Sequence, residues 1–249
     1  MGAAPEEGGD AVRGSHSILP AMTPIILLHG ALGAAEQLRP LQRSLAGDTT
    51  VLAPDFAGHG QSDRSADTFS ITDFAADVVR LMDEAGIAQA DIFGYSMGGY
   101  VGMYLAQEQP QRMRKIATLG TKYLWTPDYA AVQRKMLDAD VIAQKVPAFA
   151  GALATRHAGK DWKSILQKTA AMMTGLGDSE SLPAFPSAIA QPALLMVGDR
   201  DSTVDIAETE QVRRGLKAGE LAVLPGTPHP FEKVDITLLS HLLRAFFLR

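Results

Sequence analysis

The segment that decides the fold reads Asp91-Ile92-Phe93-Gly94-Tyr95-Ser96-Met97-Gly98-Gly99. The apolar run up to Tyr95 predicts a strand, and the pattern from Met97 to Gln107 predicts a helix. A serine at such a sharp strand-to-helix turn is held in a strained backbone conformation, and its hydroxyl projects beside free helix N–H groups. Glycine suits positions 94 and 98 because a Cβ there would collide with the adjacent strand or helix. Ser96 is therefore the candidate nucleophile.

A serine hydroxyl needs a base to become a good nucleophile, and the base needs a group that orients it. Of the six histidines, His229 follows the last predicted strand on a loop bounded by prolines. Two carboxylates, Asp199 and Asp201, follow the preceding strand. Because the carboxyl ends of parallel strands share one edge of a sheet, these loops are expected to open beside Ser96. We predict Asp201 as the partner of His229, and we expect Asp199 to bond local backbone N–H groups and shape the turn.

Acyl transfer also requires donors for the negative oxygen that develops in the transition state. The backbone N–H of Met97, directly after the serine, is one candidate. The second is expected from the glycine-rich stretch His29-Gly30-Ala31-Leu32-Gly33, which follows the first clear strand. Glycine lets the backbone approach closely there. The N–H of Ala31 is the first choice and that of Leu32 the second.

Short apolar runs typical of buried strands alternate with longer helical patterns along the chain. The predicted strands are 25–28, 50–53, 91–95, 116–119, 193–197 and 220–224. The predicted helices are 34–46, 71–85, 97–107, 206–216 and 234–247. This alternation predicts an α/β fold with a mainly parallel sheet flanked by helices.

The alternation is interrupted once, at residues 122–189, where the pattern is helical only. A single crossover needs far fewer residues, which favours a separate helical cap over helices that merely cover the sheet. We therefore predict a core formed by residues 18–121 and 190–249, with a cap inserted at 122–189. Residues 1–17 are polar and rich in glycine and are expected to form a flexible leader.

The composition excludes several classes of protein. The chain has 249 residues and no cysteine, which excludes disulfides, thiolate metal sites and cysteine nucleophiles. A net charge of -5 argues against a nucleic-acid partner, and no apolar stretch approaches the ~20 residues of a membrane helix.

No phosphate-loop, zinc or dinucleotide motif is present, so no cofactor and no metal are expected. Without a secretory signal at the N-terminus, a cytoplasmic location is expected. The oligomeric state is left open.

These motifs together resemble those of the α/β-hydrolase superfamily, from about residue 24 to the C-terminus. The resemblance rests on the motifs Leu28–Ala31, Asp55–Ser62, Gly94–Gly98, Gly198–Asp201 and Pro228–His229. Family members usually begin with an antiparallel hairpin, and the few polar residues before residue 24 predict that it is short or missing. Because the elbow carries serine rather than aspartate, cleavage of carbon–halogen bonds or epoxides is disfavoured, since both need a carboxylate nucleophile.

The resemblance implies roles for the same residues. Ser96 would be the nucleophile, His229 its base and Asp201 the partner of that base. Ala31 and Met97 would donate to the oxyanion. The resemblance also implies a small helical cap inserted after the sixth strand, which is where the helical stretch is expected to fall.

A cap above the strand ends would cover an apolar pocket for the acyl or alcohol group. The candidate lining residues are Leu32, Tyr123, Trp125, Phe149 and Trp162. The alternative for each of them is that its side chain simply packs the cap onto the sheet.

We therefore predict a carboxylesterase-type serine hydrolase that acts on small, largely apolar esters through a Ser-His-Asp triad and an acyl-enzyme. The expected partner is a small-molecule ester, without nucleic acid or membrane. The same site suits hydrolysis of carbon–carbon bonds, an elimination-type lyase reaction or perhydrolysis as alternatives. A non-catalytic binding protein that retains the fold is a third interpretation, and the intact triad argues against it.

Overall fold

The computed structural model describes residues 1, 23–47, 49–178 and 185–249. Its strands are β1 (Ile25–Leu28), β2 (Val51–Leu52), β3 (Ala90–Tyr95), β4 (Met113–Leu119), β5 (Ala193–Gly198) and β6 (Gly219–Leu224). They form one sheet in the order β2-β1-β3-β4-β5-β6, and every neighbouring pair is parallel. The leader predicted at 1–17 lies outside the described residues, apart from Met1.

The sheet is flanked by helices, several of which begin at a capping side chain. The helices are α1 (Ala35–Leu45), α2 (Ile71–Glu84), α3 (Met97–Glu108), α4 (Pro127–Met136), α5 (Ala139–Lys145), α6 (Pro147–Arg156), α7 (Trp162–Asp178), α8 (Phe185–Ala188), α9 (Ile206–Gly215) and α10 (Ile236–Phe247). Ser70, Asp205 and Asp235 accept N–H groups from the first turns of α2, α9 and α10. Such caps satisfy donors that the helix itself leaves unpaired.

Both faces of the sheet are covered by apolar layers. Along β1, Ile25 and Leu27 point into the layer formed with α1 and α10, whereas Ile26 and Leu28 point into the layer formed with α2 and α3. Successive side chains of a strand face opposite sides, so a strand covered on both sides must be apolar throughout. This confirms the predicted α/β fold with a parallel sheet.

The predicted strands and core helices are all present, and their ends differ from the predictions by three residues or fewer. The largest difference is at β4, which starts at Met113 and so includes two cations that the apolar pattern left out. Arg114 pairs with the buried Asp91 and also donates to the carbonyl of Phe247 at 2.7 Å. A tertiary ion pair therefore extends the strand beyond its apolar part.

The helices from α4 to α8 lie between β4 and β5. They therefore follow the fourth strand of the described sheet, and the predicted position after a sixth strand is not confirmed. The described sheet begins at β1, and no antiparallel pair precedes it within the described residues. The division into a separate cap domain stays a prediction.

Among the helices of the described ranges, none combines the length and the apolar composition that a membrane span requires.

Three buried histidines join α6 to two loops of the core. His157, at the end of α6, accepts the N–H of Gly60 at 2.9 Å through Nδ1 and contacts the carbonyl oxygen of Leu32 at 3.1 Å through Nε2. The ring of His59 lies 5.2 Å from that of His29 and 5.7 Å from that of His157. Burial lowers the pKa of His29 to about 4 and also lowers the pKa values of His59 and His157. The folded protein thus keeps this cluster neutral.

Acidification is expected to destabilise the fold through this cluster. The pKa of His29 falls from 6.5 to about 4 on folding. Between these values the unfolded chain binds a proton that the folded chain excludes. The free energy of unfolding should therefore decrease by up to ~1.4 kcal/mol per pH unit for this one group. Urea unfolding followed by tryptophan fluorescence at pH 7, 6 and 5 measures the decrease.

His59→Phe provides the matching variant for this experiment. The substituted ring would remain among Phe69 and Phe74, whose rings lie 4.6 and 5.5 Å from that of His59. Because one titratable group is removed, the free energy of unfolding should depend less steeply on pH than in the unmodified protein. A free energy of unfolding that stays constant from pH 7 to 5 in the unmodified protein would contradict the neutral cluster.

Candidate active site

Ser96 occupies the turn between β3 and α3 in a left-handed backbone conformation, with φ 51° and ψ -116°. Its N–H donates to the carbonyl of Leu119 on β4 at 2.8 Å, and its own carbonyl accepts the hydroxyl of Thr121 at 3.1 Å. Such a conformation costs a residue with a side chain about 1–3 kcal/mol and persists only where the surroundings enforce it. The strained elbow expected from the sequence is therefore present.

Glycines allow α3 to start this close to the sheet. A Cβ at Gly94 would overlap the carbonyl of Gly98, and a Cβ at Gly98 would overlap the carbonyl of Leu28. A Cβ at Gly30 would lie 2.7 Å from the ring of Tyr95. Side chains at these positions would push apart β1, β3 and the first turn of α3. The close backbone contact at the elbow therefore depends on the absence of side chains.

Asp201 lies in the turn after β5, and His229 lies in the loop after β6. The Oδ2 atom of Asp201 accepts a hydrogen bond of 2.7 Å from Nδ1 of His229. Its Oδ1 atom accepts the N–H groups of Thr203 and Val204 at 2.8 and 2.9 Å. The side chains are 3% and 20% exposed for Asp201 and His229. The carboxylate is thus fixed by three donors, and Nε2 is the ring nitrogen that remains to accept a proton.

The environment keeps Asp201 ionised. Burial raises its pKa, but the hydrogen bond and the charge of His229, together with the N–H groups of Val204 and Thr203, outweigh burial and hold the pKa below its usual value. An ionised carboxylate at this position holds the imidazole in one tautomer and stabilises the imidazolium once it forms.

Asp199, the other candidate carboxylate, makes a different contact. Its Oδ1 atom accepts the N–H of Thr227 at 3.2 Å. Thr227 belongs to the loop that carries His229, so this bond links the turn after β5 to the loop after β6. We had expected Asp199 to bond backbone N–H groups of its own turn instead. Asp199 therefore supports the loop of His229.

Two supporting residues were missed in the sequence. The hydroxyl of Tyr95 donates to the carbonyl of His229 at 2.8 Å, and the two rings lie 5.5 Å apart. Gly120 has φ 61°, and a Cβ there would lie 3.2 Å from Oδ2 of Asp201 and 3.3 Å from Nδ1 of His229. A glycine directly after a strand, at the edge that holds the site, is a signal that sequence reasoning could have used for Gly120. Tyr95 carried no such signal because it reads as a strand end.

A cavity of about 40 Å³ lies beside Ser96. Met97 and Ala31, the two predicted oxyanion donors, line it together with Ser96 and Trp125. The structure therefore brings the predicted nucleophile, both predicted donors and one predicted pocket residue to the same cavity.

The loop that carries Ala31 is held by side chains at the end of α6. Leu32 has φ 57°, an uncommon conformation for a residue with a branched side chain. Its carbonyl accepts Nη1 of Arg156 at 3.0 Å and lies 3.1 Å from Nε2 of His157. Leu32 is buried within the loop that carries the predicted donor Ala31, and its carbonyl oxygen faces the end of α6.

The remaining predicted pocket residues lie away from this cavity. Tyr123 is 4% exposed and its hydroxyl contacts that of Thr118 at 2.5 Å, beneath the site. Phe149 is 37% exposed on α6. Trp162 begins α7 and packs at the margin of the apolar core. These three aromatic side chains are not among the residues that line the cavity at Ser96.

Lys122 also lines the cavity, and no sequence signal distinguished it from a solvated lysine. Its ammonium group pairs with the carboxylate of Glu208 from α9. The same carboxylate accepts the N–H groups of Tyr123 and Leu124 at 2.9 and 3.0 Å. The lysine charge is thus compensated within the protein, so this wall of the cavity does not favour an anionic substrate.

The predicted path for the proton is interrupted between Ser96 and His229. No hydrogen bond joins the hydroxyl of Ser96 to His229 in the part of the chain that the structure describes. Catalytic hydrogen bonds are often long in the absence of substrate and tighten in the complex. In the same part of the chain, no cluster of histidine and carboxylate side chains is arranged to hold a metal ion.

Two curated proteins are similar to this chain. One, from Azorhizobium caulinodans, is named "Putative carbamate hydrolase RutD" and is 40% identical over 109 residues, covering 44% of this chain and 41% of that protein. The other is the dihydrolipoyllysine-residue acetyltransferase component of an acetoin cleaving system from Pseudomonas putida. It is 27% identical over 241 residues, covering 90% of this chain and 63% of that protein. The chain thus spans less than two thirds of the length of either relative.

Among solved structures, a thermophilic esterase from Thermogutta terrifontis superposes with a TM-score of 0.73 at 21% identity, covering 91% of this chain and 89% of that one. At this identity the likeness bears on the fold alone. A family profile described as "alpha/beta hydrolase fold" matches residues 23–174, which include β1, the elbow and most of the helices before β5. The chain therefore belongs to the α/β-hydrolase family.

Proposed function

We propose that this protein is a carboxylesterase-type serine hydrolase acting on small, largely apolar esters. The single observation that carries the proposal is the hydrogen bond of 2.7 Å between Asp201 and His229, at the sheet edge where the strained Ser96 also lies. A buried, ionised carboxylate on Nδ1 prepares the opposite ring nitrogen to act as a base.

In this mechanism the Oγ of Ser96 attacks the ester carbonyl while Nε2 of His229 takes the hydroxyl proton. The C–O bond of the ester then breaks, and the imidazolium returns that proton to the departing alcohol. Asp201 stabilises the imidazolium throughout. Water next attacks the acyl-enzyme with His229 as base, and the carboxylic acid leaves with Ser96 restored.

The oxyanion of both tetrahedral intermediates would be held by the N–H groups of Met97 and Ala31. The N–H of Met97 belongs to the first turn of α3, where the positive end of the helix dipole adds to its effect. The mainly apolar lining of the cavity and the pairing of Lys122 with Glu208 support an uncharged substrate. The relative named "Putative carbamate hydrolase RutD" also supports acyl transfer to water.

Ser96→Ala tests the nucleophile. We expect hydrolysis of p-nitrophenyl butyrate to fall to the background rate while the protein keeps its fold, because the acyl-enzyme can no longer form. Ser65→Ala, at an exposed loop position, is the control and should retain full activity. Stopped assays with circular dichroism on the same samples measure both properties. Unchanged turnover in Ser96→Ala would refute the assignment, and turnover of vinylogous diketones but not of esters would favour carbon–carbon bond hydrolysis.

Asp201→Asn tests the orienting carboxylate against its neighbour. The amide removes the negative charge that fixes the tautomer of His229, so kcat should fall by about 1,000- to 10,000-fold. Asp199→Asn keeps an oxygen that can accept the N–H of Thr227, so its kcat should stay within about threefold of the unmodified protein. Equal losses in the two variants would mean that the Asp201–His229 bond has no special part in the reaction.

A further inference from the structure

The cavity beside Ser96 is too small to hold an ester with an extended chain. Its volume of about 40 Å³ suits only a few atoms, since one water needs at least about 10–15 Å³. Small-molecule sites usually measure about 300–1,000 Å³. A substrate larger than an acetate of a short alcohol must therefore extend into other space.

Such space lies directly behind the site. A second chamber, of about 700 Å³ and open to solvent on one side, is bordered by the 67–72 segment, by Tyr100 and Tyr104 of α3 and by the α7 helix. Four side chains line both this chamber and the cavity at Ser96, namely Ile71, Tyr100, Met172 and Leu176. The two spaces are therefore neighbours, separated by this wall. Met172 is unbranched and can change rotamer readily, so the wall can open locally.

We propose that the 700 Å³ chamber is the subsite for one extended, unbranched alkyl arm of the ester substrate. This inference rests on the proposed function and names its substrate class: esters with one small arm held at Ser96 and one long apolar arm. The chamber wall is mainly apolar. Binding there would remove the methylene groups of the long arm from water, and each buried methylene should raise kcat/KM about fourfold.

Two polar side chains of the chamber wall, Ser70 and Lys168, are already bonded within the protein. The hydroxyl of Ser70 accepts the N–H of Asp73 at 3.0 Å and donates to its carboxylate at 2.6 Å. The ammonium group of Lys168 donates to the carbonyl of Ala66 at 2.6 Å. These groups are already engaged within the protein, so a polar ligand would gain little from them.

Gly175→Phe tests the chamber by filling it. Gly175 lies on α7 and lines the chamber, and a Cβ there meets open space. Gly151→Phe is the matched control, because Gly151 is also a helical glycine with open space at its Cβ, on α6 and outside the chamber. Both substitutions replace glycine in a helix, so neither should weaken folding.

We expect the unmodified protein to prefer methyl octanoate or octyl acetate over ethyl acetate by at least about tenfold in kcat/KM, measured by proton release. The preferred octyl ester identifies whether the long arm is the acyl chain or the alcohol. Gly175→Phe should lose at least tenfold for that ester and less than about twofold for ethyl acetate, whereas Gly151→Phe should keep both rates. An unchanged preference in Gly175→Phe would overturn the proposal.

Binding separates this proposal from the proposed function. In a Ser96→Ala background, fluorescence titration with the apolar probe 1-aminoanthracene should show binding that Gly175→Phe abolishes and Gly151→Phe retains. If Gly175→Phe abolishes probe binding but the unmodified protein, with Ser96 in place, hydrolyses none of the esters, the chamber stands as an apolar site and the esterase is rejected. Probe binding that is equal in both variants would reject the chamber.

A second inference comes from the carbonyl of Leu32. We infer that Arg156 and His157 are positioning residues for the oxyanion loop. The N–H of Gly33 donates to the carbonyl of Gly30 at 3.0 Å and closes the turn that contains Ala31. The two cap side chains bind the carbonyl of Leu32 within this turn. They therefore fix the direction of the Ala31 N–H without touching the substrate.

Arg156→Gln tests this role, with Glu232→Gln as the control. Arg156 also pairs with Glu232 at 3.1 Å, and Gln37 donates to the same carboxylate at 2.6 Å. The control removes the charge of Glu232 but keeps an oxygen that can still accept the amide of Gln37. We expect kcat to fall about tenfold in Arg156→Gln with KM within about twofold, because a misplaced donor weakens binding of the transition state only. Arg156→Lys, which keeps a donor, should recover part of the loss, and Glu232→Gln should match the unmodified protein. Unchanged kcat, or a change in KM alone, would contradict the role.

Discussion

The site depends on one close contact between backbones. The first turn of α3 lies against β1 so tightly that a Cβ at Gly98 would overlap the carbonyl of Leu28. The chain can leave β3 and enter α3 within one residue only because glycine stands two positions before and two positions after Ser96, at 94 and 98. Ser96, between them, must then adopt a left-handed conformation. The strain at Ser96 is thus maintained by packing around it, as is usual for strained residues at functional sites.

The same contact places the other parts of the site. Gly30 approaches the ring of Tyr95, whose hydroxyl binds the loop of His229. Gly120, after β4, packs against the Asp201–His229 pair, and a Cβ at this position would lie 3.2 Å from Oδ2 of Asp201. The loops after β1, β4, β5 and β6 are therefore packed onto one another as well as onto the sheet. A small change in one of these loops would move the groups carried by the others, because a packed interior transmits displacement.

The helices between β4 and β5 are joined to the rest of the fold through polar contacts as well as apolar packing. His157 bridges Gly60 and Leu32, and burial keeps it neutral. A neutral imidazole can donate and accept at the same time, whereas an ammonium group only donates and a carboxylate only accepts. Either of these charges would also need a counterion when buried. This explains why a histidine suits the junction between α6 and the loops that carry Gly60 and Leu32.

The periodicity of apolar residues and the positions of glycines were enough to predict several features from the sequence alone. These features are the six strands, the five core helices, the elbow at Ser96 and the candidate residues Asp201 and His229. These features are local, because strand and helix patterns and a tight turn are encoded within a few residues. Only the tertiary structure decided that Asp199 binds the loop of His229, that Arg114 pairs with Asp91, that Phe149 is exposed, and that the end of α6 binds the carbonyl of Leu32. The three contacts join residues that are distant in sequence, and the exposure of Phe149 depends on how α6 packs. A local sequence pattern cannot predict which distant groups come into contact.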